Sequence, residues 1–331
     1  MRIGLIGAGG IANAHMNAYE QMPDAQICAV VDVVEDKAKQ GAARFGAKAY
    51  TDLDQMFKEV ELDMVDICVP SFLHHDIALK CFEQKLHVLC EKPIAHHLQD
   101  AREMIESAKR SGVHFMIAQV IRFWPEYMYL KKAYETEQYG ALKHVFFSRM
   151  SPVPKWVEWY VDPEKSGMAP FELHIHDSDF IHYMFGGNPR SVHSSGIEDN
   201  SNNLSYIQTK YNYDNAIAIY AEAGWSNTVK PFSAAFRAVF EHGVLEFENE
   251  GLTLHPSEGE SEYIEMDDEV SVDASINIKS SGGTFNEIKY FIECVRNNKA
   301  PQVVTPEDSY ESLHLLLTEI ESAKTGETLN L

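Results

Sequence analysis

The chain predicts an α/β protein: a doubly wound parallel sheet in the first third, then an α+β region rich in antiparallel strands. Three observations carry this. Short apolar runs alternate with amphipathic stretches from the first residues to about residue 118. Those runs are apolar on both faces, as strands sandwiched between two helical layers must be. After Arg122 the order changes to successive β-rich runs broken by turn signals, followed by two closing helices.

The elements follow in order. Residues 3–6 read as a strand, 11–21 as a helix, 26–31 as a strand, 35–45 as a helix and 53–60 as a short helix. Then come a strand at 64–69, a helix at 75–84, a strand at 86–89, a helix at 98–111 and a strand at 114–118. Pro125 opens a helix that ends near Gly140, and a strand spans 144–150. A long loop, 151–167, carries Trp156, Trp159 and Tyr160, and a helix over 171–185 stops at Gly186-Gly187. The β-rich runs are 191–196, 204–211, 217–223, 235–241 and 244–248. Asp214-Asn215 and His242-Gly243 are hairpin turns, so adjacent strands should be antiparallel. The acidic stretch 246–273 reads as a solvated strand edge and loop. Helices at 284–297 and 306–324 close the chain. The boundary falls near residue 120, giving domains 1–120 and 121–331, the closing helix being free to pack back on the first.

A length of 331 residues gives each domain its own core. The formal charge of −22, from 50 acidic and 28 basic residues, excludes nucleic acid and anionic membrane as partners. A neutral sugar or polyol is compatible with it. Cys28, Cys68, Cys81, Cys90 and Cys294 are odd in number and lack a CxxC spacing, so they read as reduced thiols. Met1-Arg2 leads straight into a strand too short for a signal peptide core. No segment approaches the ~20 apolar residues of a membrane span. The expected location is cytoplasmic.

Gly7-x-Gly9-x-x-Ala12 follows the first strand and opens the first helix. In that context Gly7 permits a tight turn, Gly9 lets backbone approach a pyrophosphate, and Ala12 keeps helix and strand close. The helix start, with Gly10 and Ile11, offers N–H groups to phosphates. The plainer reading is a glycine-rich turn without a ligand. Asp32 ends the second strand, where an acid accepts hydrogen bonds from an adenine ribose and repels a 2′-phosphate. Val33, Val34 and Glu35 follow without an arginine, so NAD is expected rather than NADP. Asp32 and Glu35 also read as a capping pair, and both roles can coexist. Pro70 and Ser71 border the nicotinamide ribose, although Ser71 reads equally as a helix cap. Gln119, directly after the strand 114–118, completes the expected cofactor contacts.

Cys90-Glu91-Lys92-Pro93 follows the apolar run 86–89. Oxidising a secondary alcohol needs a base for the hydroxyl proton and a positive group for the developing alkoxide. Lys92 is the candidate cation, and Glu91 either fixes it or pairs with a ribose hydroxyl. The plainer reading of Lys92 is a surface lysine at a strand end. The base should come from the cluster 172–179, where Glu172 and His176 lie four apart on one helix face. A carboxylate beside an imidazole orients it, which makes His176 the general acid/base. His174 points elsewhere and reads as structural. Asp177 and Asp179 do not fall where a metallo-hydrolase His-x-His pattern needs its acid, so no metal is expected. Trp156, Trp159 and Tyr160 either stack on a sugar ring or pack within the domain or a subunit interface.

Together these residues resemble the Gfo/Idh/MocA oxidoreductases, with glucose–fructose oxidoreductase and inositol dehydrogenase as type members. The likeness runs through Gly7-x-Gly9-x-x-Ala12 with His15, Pro70-Ser71-Phe72-Leu73-His74, and residues 87–93. It continues through Arg122-Phe123-Trp124-Pro125, Ser166-Gly167, Glu172–His176 and Ser322-Ala323-Lys324-Thr325-Gly326. The resemblance implies a nicotinamide-binding Rossmann domain and a second domain with a largely antiparallel open sheet. It places a sugar or polyol substrate between them. It implies Lys92 and His176 as catalytic residues, with Glu172 binding and orienting the substrate. His74 joins the cofactor contacts, while Arg122, Trp156 and Trp159 join Lys92, Glu172 and His176 at the substrate. It also implies a homodimer or homotetramer built on the second-domain sheet. Some relatives use tightly held NAD transiently to cleave glycosides by oxidation and elimination, and a non-catalytic NAD-binding sensor is a third reading. The chain departs from the pattern at Glu172, usually Asp, at Ser71, usually Asn, and at Gly167-Met168-Ala169, usually richer in glycine.

Overall fold

A computed structural model describes residues 1–154, 157–199, 203–226, 228–229, 231–248, 251–266 and 282–331. Two compact units divide the chain: Met1–Phe123 with Glu269–Tyr310, and Trp124–Asp268 with Glu311–Leu331.

The first unit alternates strand and helix. Its elements are β1 (Arg2–Ile6), α1 (Gly10–Tyr19), β2 (Gln26–Val31), α2 (Glu35–Phe45), β3 (Lys48–Tyr50) and α3 (Leu53–Glu59). They continue as β4 (Met64–Ile67), α4 (His74–Glu83), β5 (His87–Glu91), α5 (Leu98–Ser111) and β6 (Phe115–Ala118). All five pairings are parallel, in the order β3-β2-β1-β4-β5-β6. The order reverses beside β1, so the carboxyl ends of β1 and β4 border the crevice where such sheets bind ligands. Ile3, Leu5, Ile27, Val30, Met64, Leu89 and Met116 fill the core, with Ala12 and Met16 from α1 packed on it. β3 has no counterpart in the sequence reading. It is a three-residue edge strand with two exposed side chains, too little apolar pattern to see.

In the second unit a helix and a nine-stranded sheet provide the frame. α6 (Pro125–Glu135) leads to β7 (Leu142–Pro152), then the short α7 (Pro163–Ser166) and α8 (Ile175–Phe185). The remaining strands are β8 (Ser191–Glu198), β9 (Leu204–Asn212), β10 (Ala218–Ser226), β11 (Ser233–Phe240), β12 (Gly243–Glu248), β13 (Gly251–Pro256) and β14 (Glu262–Ile264). Further along lie α9 (Gly283–Arg296), which belongs to the first unit, α10 (Pro306–Thr325) and β15 (Thr328–Asn330). The order is β14-β13-β12-β11-β7-β10-β9-β8-β15. Among the described residues every pairing is antiparallel except β7 with β10. β13 and β14 lie inside the acidic stretch read as edge and loop; β14 is the edge strand, and the charge does not prevent pairing. Residues 249–250 and 267–273 of that stretch lie outside the described residues. Tyr127 meets Phe180 edge-on at 4.9 Å and Phe236 at 5.1 Å, joining α6, α8 and the sheet.

The helix expected over 171–185 is two structures. Pro170–His174 is a π-helical turn, with the Ile175 N–H bonded to the carbonyl of Pro170, and α8 begins only at Ile175. The turn is entered through two left-handed residues, Gly167 (φ 68°) and Met168 (φ 64°). A Cβ on Gly167 would stand 2.3 Å from the Phe171 ring, so that position needs glycine. Periodicity cannot register one extra residue per turn, which is why the sequence reads as continuous helix.

Candidate active site

Within the first unit, the glycine turn follows β1 directly. Gly7 has φ 93°, and a Cβ there would lie 2.5 Å from the Cys68 carbonyl oxygen. Gly9 is different. It caps α1 in extended conformation at φ −82°, without a side-chain cap, and a Cβ there would meet no protein atom within 4 Å. Neither backbone nor neighbours demand glycine at 9. An open approach to the first turn of α1, with Gly10 exposed, fits a phosphate-bearing ligand.

Asp32 closes the other side of this turn. Its Oδ2 accepts the Ala8 N–H at 2.8 Å and its Oδ1 accepts the Val34 N–H at 2.8 Å. The capping-pair reading is corrected here: α2 starts at Glu35, its N-cap is Val34, and Asp32 stands outside the helix. Its bonds hold the glycine turn against the end of β2, and each oxygen keeps a further lone pair for a ribose hydroxyl.

At the end of β4, Pro70 opens a 3₁₀ turn and Ser71 is buried, its Oγ 2.9 Å from His96 Nε2. His96, four residues after Lys92, is a site neighbour that sequence reasoning missed. Its partner is 25 residues away, and no local spacing signals the pair. Burial, reinforced by His74, His97 and Lys92, depresses its pKa to about 4, so it is neutral near pH 7. His74 is buried with Nδ1 2.8 Å from the Pro93 carbonyl and Nε2 3.1 Å from that of Val69. It staples the loops after β4 and β5 to each other. Gln119 is buried just past β6, and its Oε1 has no hydrogen-bond partner among the described residues. A buried orphan acceptor at the carboxyl edge of the sheet fits a ligand donor such as a ribose hydroxyl or carboxamide.

Lys92 is half-buried, one residue beyond β5, and its peptide bond to Pro93 is cis. Glu91 is buried, with Oε2 accepting the Lys92 N–H at 3.0 Å and Oε1 3.1 Å from His15 Nε2. His15, Asp66 and Cys68 bring an imidazole, a carboxylate and a thiol together. Burial and the Asp66 charge push the Cys68 thiol far above its ordinary value. Arg122, expected at the substrate, is buried in the first unit. Its fully enclosed Nη1 donates to the Val303 carbonyl at 2.7 Å and pairs with Asp308 at 3.3 Å. A guanidinium this deeply buried needs such partners, so it fastens residues 303–308 to the end of the parallel sheet.

In the second unit, every residue from Met168 to His182 is buried except Glu172 and His176. These two side chains alone reach the surface of an otherwise sealed segment, one from the π turn and one from the first turn of α8. π turns recur at functional sites. The segment behind them is held rigidly. Asp177 accepts Arg149 Nε at 3.0 Å and Nη2 at 2.9 Å, and Ser312 donates to Asp179 at 2.7 Å. His174, expected to be structural, lies fully buried between Thr209, Tyr211 and Glu319. Trp159 stacks on Tyr160 at 4.1 Å, and Tyr160 packs against the cluster of Met168, Ala169, Leu173, Ala223 and Trp225. Trp156, also expected at the substrate, lies outside the described residues.

A glycine turn at the first strand–helix junction of a parallel sheet, an acid ending the next strand, and a second unit on a mixed sheet define a dinucleotide-binding protein of oxidoreductase type. Residues 1–119 match the oxidoreductase family with an NAD-binding Rossmann fold, and residues 127–246 match the GFO/IDH/MocA C-terminal domain. The chain belongs to the Gfo/Idh/MocA oxidoreductase family, and its first unit is that family's NAD-binding fold. It is 30% identical over 197 residues to myo-inositol 2-dehydrogenase of Thermotoga maritima, covering 59% of this chain and 58% of the relative. It is likewise 30% identical over 189 residues to glucose-6-phosphate 3-dehydrogenase of Bacillus subtilis, covering 56% of this chain and 53% of the relative. The chain thus aligns with little more than half the length of these curated relatives. Levoglucosan dehydrogenase in complex with NADH and levoglucosan has the same fold, with a TM-score of 0.86 at 19% identity, over 100% of this chain and 99% of that one. No helix among the described residues is long and apolar enough to cross a membrane.

Proposed function

We propose that this protein is an NAD-dependent dehydrogenase that interconverts a secondary hydroxyl of a sugar, inositol or related polyol with its ketone. The observation that carries the reading is Glu172 and His176 emerging alone from a buried segment, in a chain whose glycine turn is open for a dinucleotide. The names of its relatives, which act on inositol and a sugar phosphate, support the substrate class.

Gly7, Gly9, Gly10, Ile11 and Ala12 would hold the pyrophosphate, Asp32 the adenine ribose, and Pro70, Ser71, Glu91 and Gln119 the nicotinamide side. When bound, NAD supplies the hydride acceptor at C4 of its nicotinamide. Asp32, with Val33-Val34 after it, favours NAD over NADP because a 2′-phosphate would face a carboxylate. Lys92 stabilises the substrate oxygen as it gains negative charge. His176 takes the hydroxyl proton, and Glu172 orients the imidazole and accepts a substrate hydroxyl. The protein works as a reduced cytoplasmic enzyme, consistent with its free cysteines, and as a homo-oligomer through the second-unit sheet.

The test is a panel of inositols, hexoses and sugar phosphates with NAD, following NADH formation by wild type, Lys92→Met and His176→Ala. Turnover should fall by about 10²–10⁴-fold in each variant while NAD affinity stays within threefold. Equal turnover by all three proteins refutes the assignment.

A further inference from the structure

We propose that His15 is a positioning residue for Lys92, acting through Glu91. The inference rests on the reading of Lys92 as the reactive cation and adds what holds that cation in place.

His15 projects from α1 into the parallel sheet and is 1% exposed. Its Nδ1 lies 2.8 Å from Asp66 Oδ2 on β4, and its Nε2 lies 3.1 Å from Glu91 Oε1 on β5. An ionised carboxylate can only accept, so bonding both acids requires a proton on each ring nitrogen. The geometry therefore calls for an imidazolium. Two buried carboxylates on neighbouring strands would repel each other, and a cation between them offsets that repulsion.

The groups facing the ring come from every surrounding element. Tyr19 from α1 donates to Asp66 at 2.9 Å, and the Cys68 thiol reaches the other Asp66 oxygen at 3.5 Å. Glu91 and Lys92 come from the end of β5, and Glu287 of α9 acts on Tyr19. Burial alone would discharge the imidazole, but the charge and hydrogen bond of Asp66 together with those of Cys68 outweigh it and hold the pKa well above the ordinary histidine value.

Lys92 stands one residue past the last ladder pair of β5, Glu91 with Ala118. At that point Glu91 Oε2 accepts the Lys92 N–H at 3.0 Å. A carboxylate pinned by His15 through one oxygen thus fixes the lysine backbone through the other. A core histidine that merely filled space would need neither its second acid nor this link.

The test uses the full chain with two variants, His15→Gln and Glu91→Gln, the second serving if the first does not fold. In wild type, ¹⁵N NMR should find both His15 ring nitrogens protonated from pH 6 to 8. Hydrogen exchange at the Lys92 amide should accelerate at least tenfold in either variant, while β1 amides stay as in wild type. With the substrate found in the panel above, kcat should fall about 10–100-fold in His15→Gln with the KM for NAD within threefold. A neutral His15, or an unchanged Lys92 amide in both variants, overturns the inference alone. Wild-type turnover by Lys92→Met overturns the reading of Lys92, and this inference with it.

Discussion

Two glycines of one motif should fail in opposite ways when each gains a methyl group. Gly7→Ala places a Cβ 2.5 Å from the Cys68 carbonyl oxygen and 2.7 Å from its carbon, at φ 93°. The left-handed backbone costs about 1–2 kcal/mol and the overpacking about 1–3 kcal/mol, so the variant should lose roughly 2–5 kcal/mol of stability. The struck atoms are main chain of the adjoining β4 segment and cannot rotate away. Gly9→Ala has φ −82° and no protein atom within 4 Å, so its stability should stay within about 0.5 kcal/mol of wild type. Its methyl would instead stand where the ligand's phosphates approach, and NAD affinity should fall at least about tenfold, or 1.4 kcal/mol. Urea denaturation of each variant without cofactor, and calorimetric titration with NAD, separate the two effects. If Gly9→Ala binds NAD as wild type does, or unfolds as readily as Gly7→Ala, the reasoning about the open turn is wrong.

Asp177→Ala strands the buried Arg149 guanidinium and should cost about 3–5 kcal/mol in urea denaturation, whereas Arg149→Met with Asp177→Leu should recover most of it. Burial holds His96 at about 4, below its unfolded value near 6.5, so the unfolded chain binds its proton first as pH falls. Stability should drop between pH 6.5 and 4, and His96→Asn should flatten that drop in denaturation curves. His15 has the opposite sign: its raised pKa means its stabilisation is full below about pH 6.5 and is lost as pH rises through the folded value. The stability gap between wild type and His15→Gln should therefore narrow from pH 6 to alkaline pH.

Much of the first unit was legible because its physics is local. Strand runs such as 27–31 and 115–118 are apolar on both faces, and the turn at Gly7 declares itself by residue type. β3 was not legible, since an edge strand of three residues buries only Tyr50. The π turn at Pro170–His174 was not legible either, because its one-residue excess leaves Glu172 and His176 four apart in sequence whichever helix forms. Asp32 showed the limit of local rules: its spacing to Glu35 suits a cap, yet its oxygens were claimed by Ala8 and Val34.

The sequence by itself determined the alternation of elements, the glycine turn, the family and the identities of Lys92, Glu172 and His176 as candidates, because each depends on residue type and near spacing. Tertiary structure decided which polar side chains are spent on holding the fold. Arg122 went to Val303 and Asp308, His74 to two carbonyls and Asp177 to Arg149, across separations of 5 to 186 residues. A buried charge or donor must find a partner, and which partner depends on how distant strands and helices come together. The same closure put His15 between Asp66 and Glu91, 51 and 76 residues away, and so tied a helix of the glycine motif to the lysine after β5.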